Sequence, residues 1–343
     1  MKEIEIPKKQ LKLKQTFLPL FLVALLVAVI IHGCVGLEKP KLKTLKIGYS
    51  QWPGFDVIVY GQEAGFFAKR GLDVKLVPFE ISADSTKAVL RGSLDAGFDS
   101  LWQPMQLEKH QDSPVFLMVT DVSAGSDGIV TQKPIKSVKD LKGKKIGCKL
   151  RMVNELVLLE ALKLHNINSE GIEIENILNS IAAKRMKEGT LDGSVTWEPL
   201  LSNLAKEVEG NIIFTTKDVD SLVIDTLLTR SSYLSEHEQE LTQFILAWFD
   251  IMDAIEREPE KVFTTVAQRL DQNPESFAKD YAGLKKGDIP MQKRMFQTGG
   301  RLKEAMQEIV ELFQQDQRFT SIISKDIKIN AEPLNAAIEA WKP

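Results

Sequence analysis

The residues best equipped for chemistry in this chain are acids beside aromatic rings. Asp121 and Asp127 bracket the stretch TDVSAGSDGIV (120–130), Glu198 follows Trp197 in WEP, and Asp225 interrupts the apolar run LVIDTLL. Asp56 and Asp99 stand nearby, beside predicted turns. Trp52, Phe55, Trp102 and Trp197 fall at the ends of predicted strands or in the loops that follow them. Carboxylates and aromatic faces together recognise cations. A planar guanidinium or amidinium pairs with a carboxylate through two parallel hydrogen bonds. An anion site instead uses helix N-termini, serines, backbone N–H groups and arginine, and on the basic side only Arg151 stands out; Ser123, between the two aspartates, is a further candidate contact to the solute. An unpaired carboxylate facing a buried anion costs several kcal/mol or must protonate. The pattern therefore predicts a small nitrogen-rich solute, cationic or planar, with an anion as the alternative. Each residue also has a plain structural use. Asp127 could cap its own turn, Glu198 could bridge two lobes, and Trp52 and Trp102 could be core.

Catalysis is not expected. The histidines (32, 110, 165, 237) are scattered with no metal-ligand spacing. There is no CxxC motif or disulfide framework, and Cys148, mid-strand in KIGCKL, reads as a small core residue. No cofactor or metal is implied. Hydrophobic residues make up 43% and charged ones 27% of 343 residues, ordinary for globular protein and enough for two cores. The net charge is −3, and the five lysines against two glutamates in residues 1–33 give that stretch about +3, leaving the remainder about −6. No basic patch suggests nucleic acid.

The elements that would position these residues come in two series. An apolar run with no charge, FLPLFLVALLVAVII (17–31), follows the lysines and leads to IHGC. Such a segment reads as a secretory signal of lipoprotein type (1–33), with Cys34 as the lipidated residue and 34–44 as a tether. His32 departs from the small residue usual in a lipobox, and an uncleaved membrane anchor reaching Leu37 is the competing reading. Strands are then predicted at 44–50, 72–79, 95–101 and 115–121, with helices at 57–71 and 85–94 between them. The pattern restarts with strands near 145–150, 172–177 and 194–197 and helices at 153–167 and 181–193. Extended segments follow at 212–216 and 221–230. Beyond about 232 helices dominate. This predicts an α/β protein: lobe one (45–128), lobe two (129–228), and a return of the chain to lobe one with C-terminal helices (229–343), joined by two crossover segments. Ligands in open α/β sheets sit beyond the carboxyl ends of the strands, which places the WPGF turn, the DSLWQP loop, TDVSAGSD, the start of the helix at 153 and WEP around one cleft.

Several words of the sequence resemble a known family. KIGYSQWPGF (46–55), EAGFFAKRGLDVKLVPF (63–79), RGSLDAGFDS (91–100), SVKDLKGKKIG (137–147), EGTLDGSVTWEP (188–199) and AWFDIMDAIEREPE (247–260) are similar to the substrate-binding proteins of ABC importers for nitrate, sulfonates, taurine and thiamine-precursor pyrimidines. The resemblance implies the type II periplasmic-binding fold. It also implies a monomer, held outside the bacterial cytoplasmic membrane by its lipid anchor, that captures a small molecule by hinge closure without catalysis. The partners implied are an ABC permease and its ATPase. The matching words recur across members with different ligands, so they do not name the solute. An enzyme of the same fold would need a reactive His or Cys at the cleft, and a sensory ectodomain would need a second span or a signalling domain.

Overall fold

The computed structural model describes residues 41–106, 112–297, 299–314 and 327–343. The apolar run and Cys34 lie outside the described residues.

The larger sheet is built around the most apolar segment of the chain. Strand β1 (Lys43–Ser50) pairs in parallel with β2 (Leu72–Phe79) and with β3 (Ala96–Ser100). Strand β4 (Pro114–Ser123), PVFLMVTDVS, is buried along its whole length, as a continuous apolar run in a strand covered on both faces must be. In the smaller sheet β5 (Asp127–Thr131) lies between β8 (Gly193–Trp197) and β9 (Asn211–Thr215). β6 (Lys145–Gly147) and β7 (Glu173–Glu175) extend that sheet in parallel beyond β8. The chain then returns as β10 (Ile224–Arg230), which inserts antiparallel between β3 and β4. Short β11 (Leu284–Lys286) and β12 (Lys328–Ile329) both add to β4.

The result is a two-lobed α/β fold with two crossings, at 124–126 and 216–223. β10 lies wholly in the larger sheet, so the chain re-enters that lobe at 224 and not after 228. An apolar run announces a strand but not the sheet it joins. The expected helix over 57–71 is broken in two, Ile58–Glu63 and Phe66–Lys69, at Gly65, whose φ of +71° is left-handed. β11 and β12 had no apolar pattern of their own to announce them.

Five helices position the strand ends or the core behind them. α1 (Pro53–Asp56) is a single turn opened by Trp52, and α2 (Ser82–Leu90) follows β2. α3 (Val153–Leu164) begins the second lobe's main helix layer. α4 (Leu200–Glu207) follows β8. α5 (Ser231–Arg257) packs Phe244 and Trp248 against Phe98 of the larger sheet, all three fully buried. Each such aromatic contributes on the order of 2–3 kcal/mol by burial alone. Near the C-terminus α6 (Pro274–Tyr281) packs beside α1, and α7 (Arg301–Gln314) shares a core with α3. The C-terminal helices thus brace both lobes, where packing on lobe one alone was expected.

Candidate functional site

The acids meet because of strand direction. β1, β3 and β4 run parallel, so their carboxyl ends share one edge of the larger sheet. β10 runs the other way, so its first residues lie at that same edge, with Asp225 opposite both Ser100 and Asp121. In the smaller sheet Asp127 opens β5 and pairs with Trp197, the last residue of β8. Only residues 124–126 separate β4 from β5, which brings the two edges face to face.

Between these edges lies a cavity of about 60 Å³. Its polar wall is Asp99, Asp127, Asp225, Ser50, Gln51, Ser82 and Ser100. Its apolar wall is Trp52, Phe55, Trp197, Met152, Val153 and Val223. Among the described residues, neither lysine nor arginine contributes to it. A larger hollow of about 720 Å³ beside Phe66 is built from first-lobe residues only, and its Arg70 is already forked onto Asp250 at 2.9 and 3.0 Å. Size alone would favour that hollow; convergence of both lobes favours the small cavity.

The electrostatics of the cavity are those of buried acid. Burial pushes Asp127 up to about 7; Ser123 offsets part of this, and the charges of Asp121 and Glu198 add to it. Burial likewise lifts Asp99 to about 7, against hydrogen bonds from Thr86, Ser82 and the Ser100 N–H. Asp121 rises to about 6 through burial, relieved by the Trp52 indole, which donates to its Oδ1 at 2.9 Å, and by the neighbouring Asp225 carboxyl. Asp225 is held well above the ordinary carboxyl range by burial and then by the charges of Asp121 and Asp127. Asp127 Oδ2 and Ser100 Oγ are buried without a hydrogen-bond partner among the described residues. Such atoms cost about 1–3 kcal/mol each unless a bound group meets them. Gly54 is required by this arrangement, because a Cβ there would lie 2.0 Å from Asp121 Oδ2.

The chain matches the model of the family described as NMT1/THI5 like over residues 52–262. It belongs to that family. A Brucella abortus (strain 2308) protein described as a binding protein is 23% identical over 286 residues, 76% of this chain and 88% of its own length. The taurine-binding periplasmic protein of Escherichia coli (strain K12) is 24% identical over 230 residues, 65% of this chain and 69% of that one. Among solved structures, the periplasmic aliphatic sulphonate binding protein SsuA from Escherichia coli superposes with a TM-score of 0.67 at 17% identity, covering 82% of this chain and 95% of that one. The desulfurization enzyme DszB also shares the fold, with a TM-score of 0.62 at 13% identity over 86% of this chain and 99% of its own. The fold therefore does not by itself decide between binding and catalysis.

Within this NMT1/THI5-like chain the predicted residues divide into three groups. Trp52, Phe55, Asp99, Asp127, Trp197 and Asp225 line the cavity. Asp121 lies behind Trp52, off the wall, and joins it to Asp225. The others sit elsewhere. Trp102 is fully buried, stacked on Phe313 of α7 at 3.6 Å between centroids, and is core. Ser123 hydrogen-bonds the Thr216 hydroxyl at 2.7 Å, tying the first crossing to the start of the second. Glu198 accepts from the Ser202 N–H at 3.0 Å and from its hydroxyl, so it caps α4 in place of bridging lobes. Asp56 is buried in α1, pushed up to about 8, and does not reach the wall. Arg151 is exposed, with φ of +61° and its backbone N–H donating to Glu155, so it is no anion anchor inside the cavity. Met152 and Val153, its neighbours, take the wall position instead.

The sequence reading put the DSLWQP loop and the start of the helix at 153 in the cleft without singling out Ser100, Met152 or Val153, and it missed Ser50, Gln51, Ser82 and Val223. Ser50 and Ser100 end β1 and β3, so the strand-end rule could have found them. Ser82 opens α2 and Val223 ends the second crossing, and neither carries a comparable signal. Among the described residues no group of His, Cys, Asp or Glu is placed to hold a metal ion, and no helix is long and apolar enough to cross a membrane.

Proposed function

We propose that this chain is the exported solute-binding component of an ABC importer, and that its solute is a small nitrogen-rich cation of guanidinium or amidinium type. The observation that carries the ligand class is the wall itself: three aspartates from both lobes, two tryptophans, and no lysine or arginine among the described residues. A cation entering that space gains carboxylate partners for its N–H groups and aromatic faces for its charge. The lobes close on it about the segments 124–126 and 216–223, and the closed form is the one a permease would read. Membership of the family and the names of its relatives, all binding proteins, support the transport role. The stretch ending at Cys34 supports a lipid anchor.

A second reading rests on those same names. Taurine and aliphatic sulphonates carry an anionic group, and on likeness alone an anion is the better choice. In this cavity it would need Asp99, Asp127 and Asp225 protonated, so that they donate to it. A thermal-shift panel separates the two readings, since a bound solute stabilises the folded state. Guanidine, amidines, thiamine pyrimidines and polyamines stand on one side; taurine, alkanesulfonates, nitrate and bicarbonate on the other. The cation reading expects a stabilising hit from the first group that is strongly weakened by Asp127→Asn. A hit from the second group, undiminished by that substitution, overturns it.

A further inference from the structure

Asp121 and Asp225 occupy directly opposed positions on neighbouring antiparallel strands. A bulge follows between Asp225 and Thr226; opposed residues of a regular antiparallel pair hold their Cβ atoms about 4.5–5.5 Å apart. Both side chains are buried, and the two carboxyls are close enough for each to shift the other's titration. Two ionised carboxylates at that spacing repel strongly away from water, so the pair holds one proton between them. The Trp52 indole donates to Asp121, which fixes Asp121 as the charged member and Asp225 as the one that carries the proton.

Among the described residues, the groups around the pair offer no positive charge to replace that proton. β3 brings Asp99 and β5 brings Asp127, both acids. β4 brings the Thr120 hydroxyl. α6 brings Tyr281, a buried phenol held neutral partly by Asp121 itself. β11 places Lys286 opposite Asp121, but its ammonium ion-pairs with Glu256. Of the two acids, Asp225 is the one on the cavity wall.

We propose that the solute takes the place of this proton, so that capture of each cation releases a proton from the Asp121–Asp225 pair. The proposal rests on the cationic reading of the cavity. Before binding the pair carries one negative charge. Afterwards it carries two, offset by the positive charge of the solute, while the Asp225 proton passes to bulk water. Capture therefore leaves the buried charge unchanged, and acid drives the solute out.

The test is calorimetric titration of the protein with guanidinium chloride in two buffers of different protonation enthalpy, repeated across pH. Asp99 and Asp127 also titrate, so the informative quantity is the difference between variants. Asp225→Asn keeps a polar amide beside Asp121 but has no proton to give. It is expected to release about one proton fewer per guanidinium bound than the wild type, which flattens the affinity profile by about tenfold per pH unit. Asp121→Asn removes the repulsion on Asp225 and is expected to move the release to more acidic pH. Guanidinium binding with equal proton release in wild type and Asp225→Asn overturns the proposal and leaves the cationic reading standing. Failure of guanidinium and of amidines to bind at any pH, with a sulfonate binding instead, overturns both.

Discussion

Replacing Asp127 by asparagine in the solute-free protein is expected to stabilise it, and more so as the pH rises. Asp127 is buried at the mouth of β5, with one carboxyl oxygen unpartnered and a carboxyl pushed up from 3.8 to about 7. Below about pH 4 the acid is protonated in both the folded and unfolded chain, and its neutral form costs the fold nothing extra. As the pH rises the unfolded chain ionises it first, so stability is lost across the window from 3.8 to about 7 and stays lost above it. A rise of that size corresponds to a loss on the order of 4 kcal/mol. Asparagine cannot ionise, so Asp127→Asn lacks this slope. Urea denaturation at a series of pH values measures it directly: variant and wild type should nearly coincide near about pH 4 and diverge by up to about 4 kcal/mol near about pH 8. The contributions of Asp56 and Asp99 cancel in the comparison; the Asp121–Asp225 pair is coupled to Asp127, so part of the measured difference belongs to that pair. Parallel profiles for the two proteins would refute the claim that Asp127 is a buried acid without a cationic partner. The same variant should bind a cationic solute more weakly by about 2–5 kcal/mol, because one carboxylate of the cavity is gone.

Gly54→Ala is expected to break the Trp52–Asp121 hydrogen bond, since its methyl would fall 2.0 Å from Asp121 Oδ2; the loss should appear as changed tryptophan emission and about 1–3 kcal/mol of destabilisation. Trp102→Ala should cost about 3–5 kcal/mol of stability by emptying the stack on Phe313, with solute affinity unchanged in the folded fraction. Trp52→Ala should cost about 3–5 kcal/mol of stability as well, because its ring is core and its indole satisfies Asp121, but unlike Trp102→Ala it should also lose solute affinity in the folded fraction by calorimetry, because the ring is cavity wall.

The lobes and most of the strands could be read from the chain because apolar period and turn residues are local properties. The acids at strand ends were legible for the same reason: a charge interrupting VFLMVTD or LVIDTLL is visible where it stands. Partners distant along the chain were not. Trp102 looked like a cleft residue because its loop follows a strand, and only Phe313, some two hundred residues later, makes it core. Glu198 looked available until Ser202, one helical turn on, claimed it. Arg151 stood out by type, yet the left-handed backbone at that position accompanies an outward side chain and leaves Met152 and Val153 on the wall. Asp121 was read as a ligand-contacting acid, but the structure sets it off the cavity wall behind Trp52, through an indole sixty-nine positions earlier.

The late insertion of β10 has a consequence for biosynthesis. β4 has β10, β11 and β12 as its partners, and all three are synthesised after the whole smaller sheet. A nascent chain released at residue 131 would hold β3 and β4 with bare edges, the kind of surface that seeks a strand from another molecule. The amino-terminal lobe is therefore completed last, as the ribosome delivers residues beyond 230. Separate expression of the two lobes should yield an aggregating first half and a tractable second one.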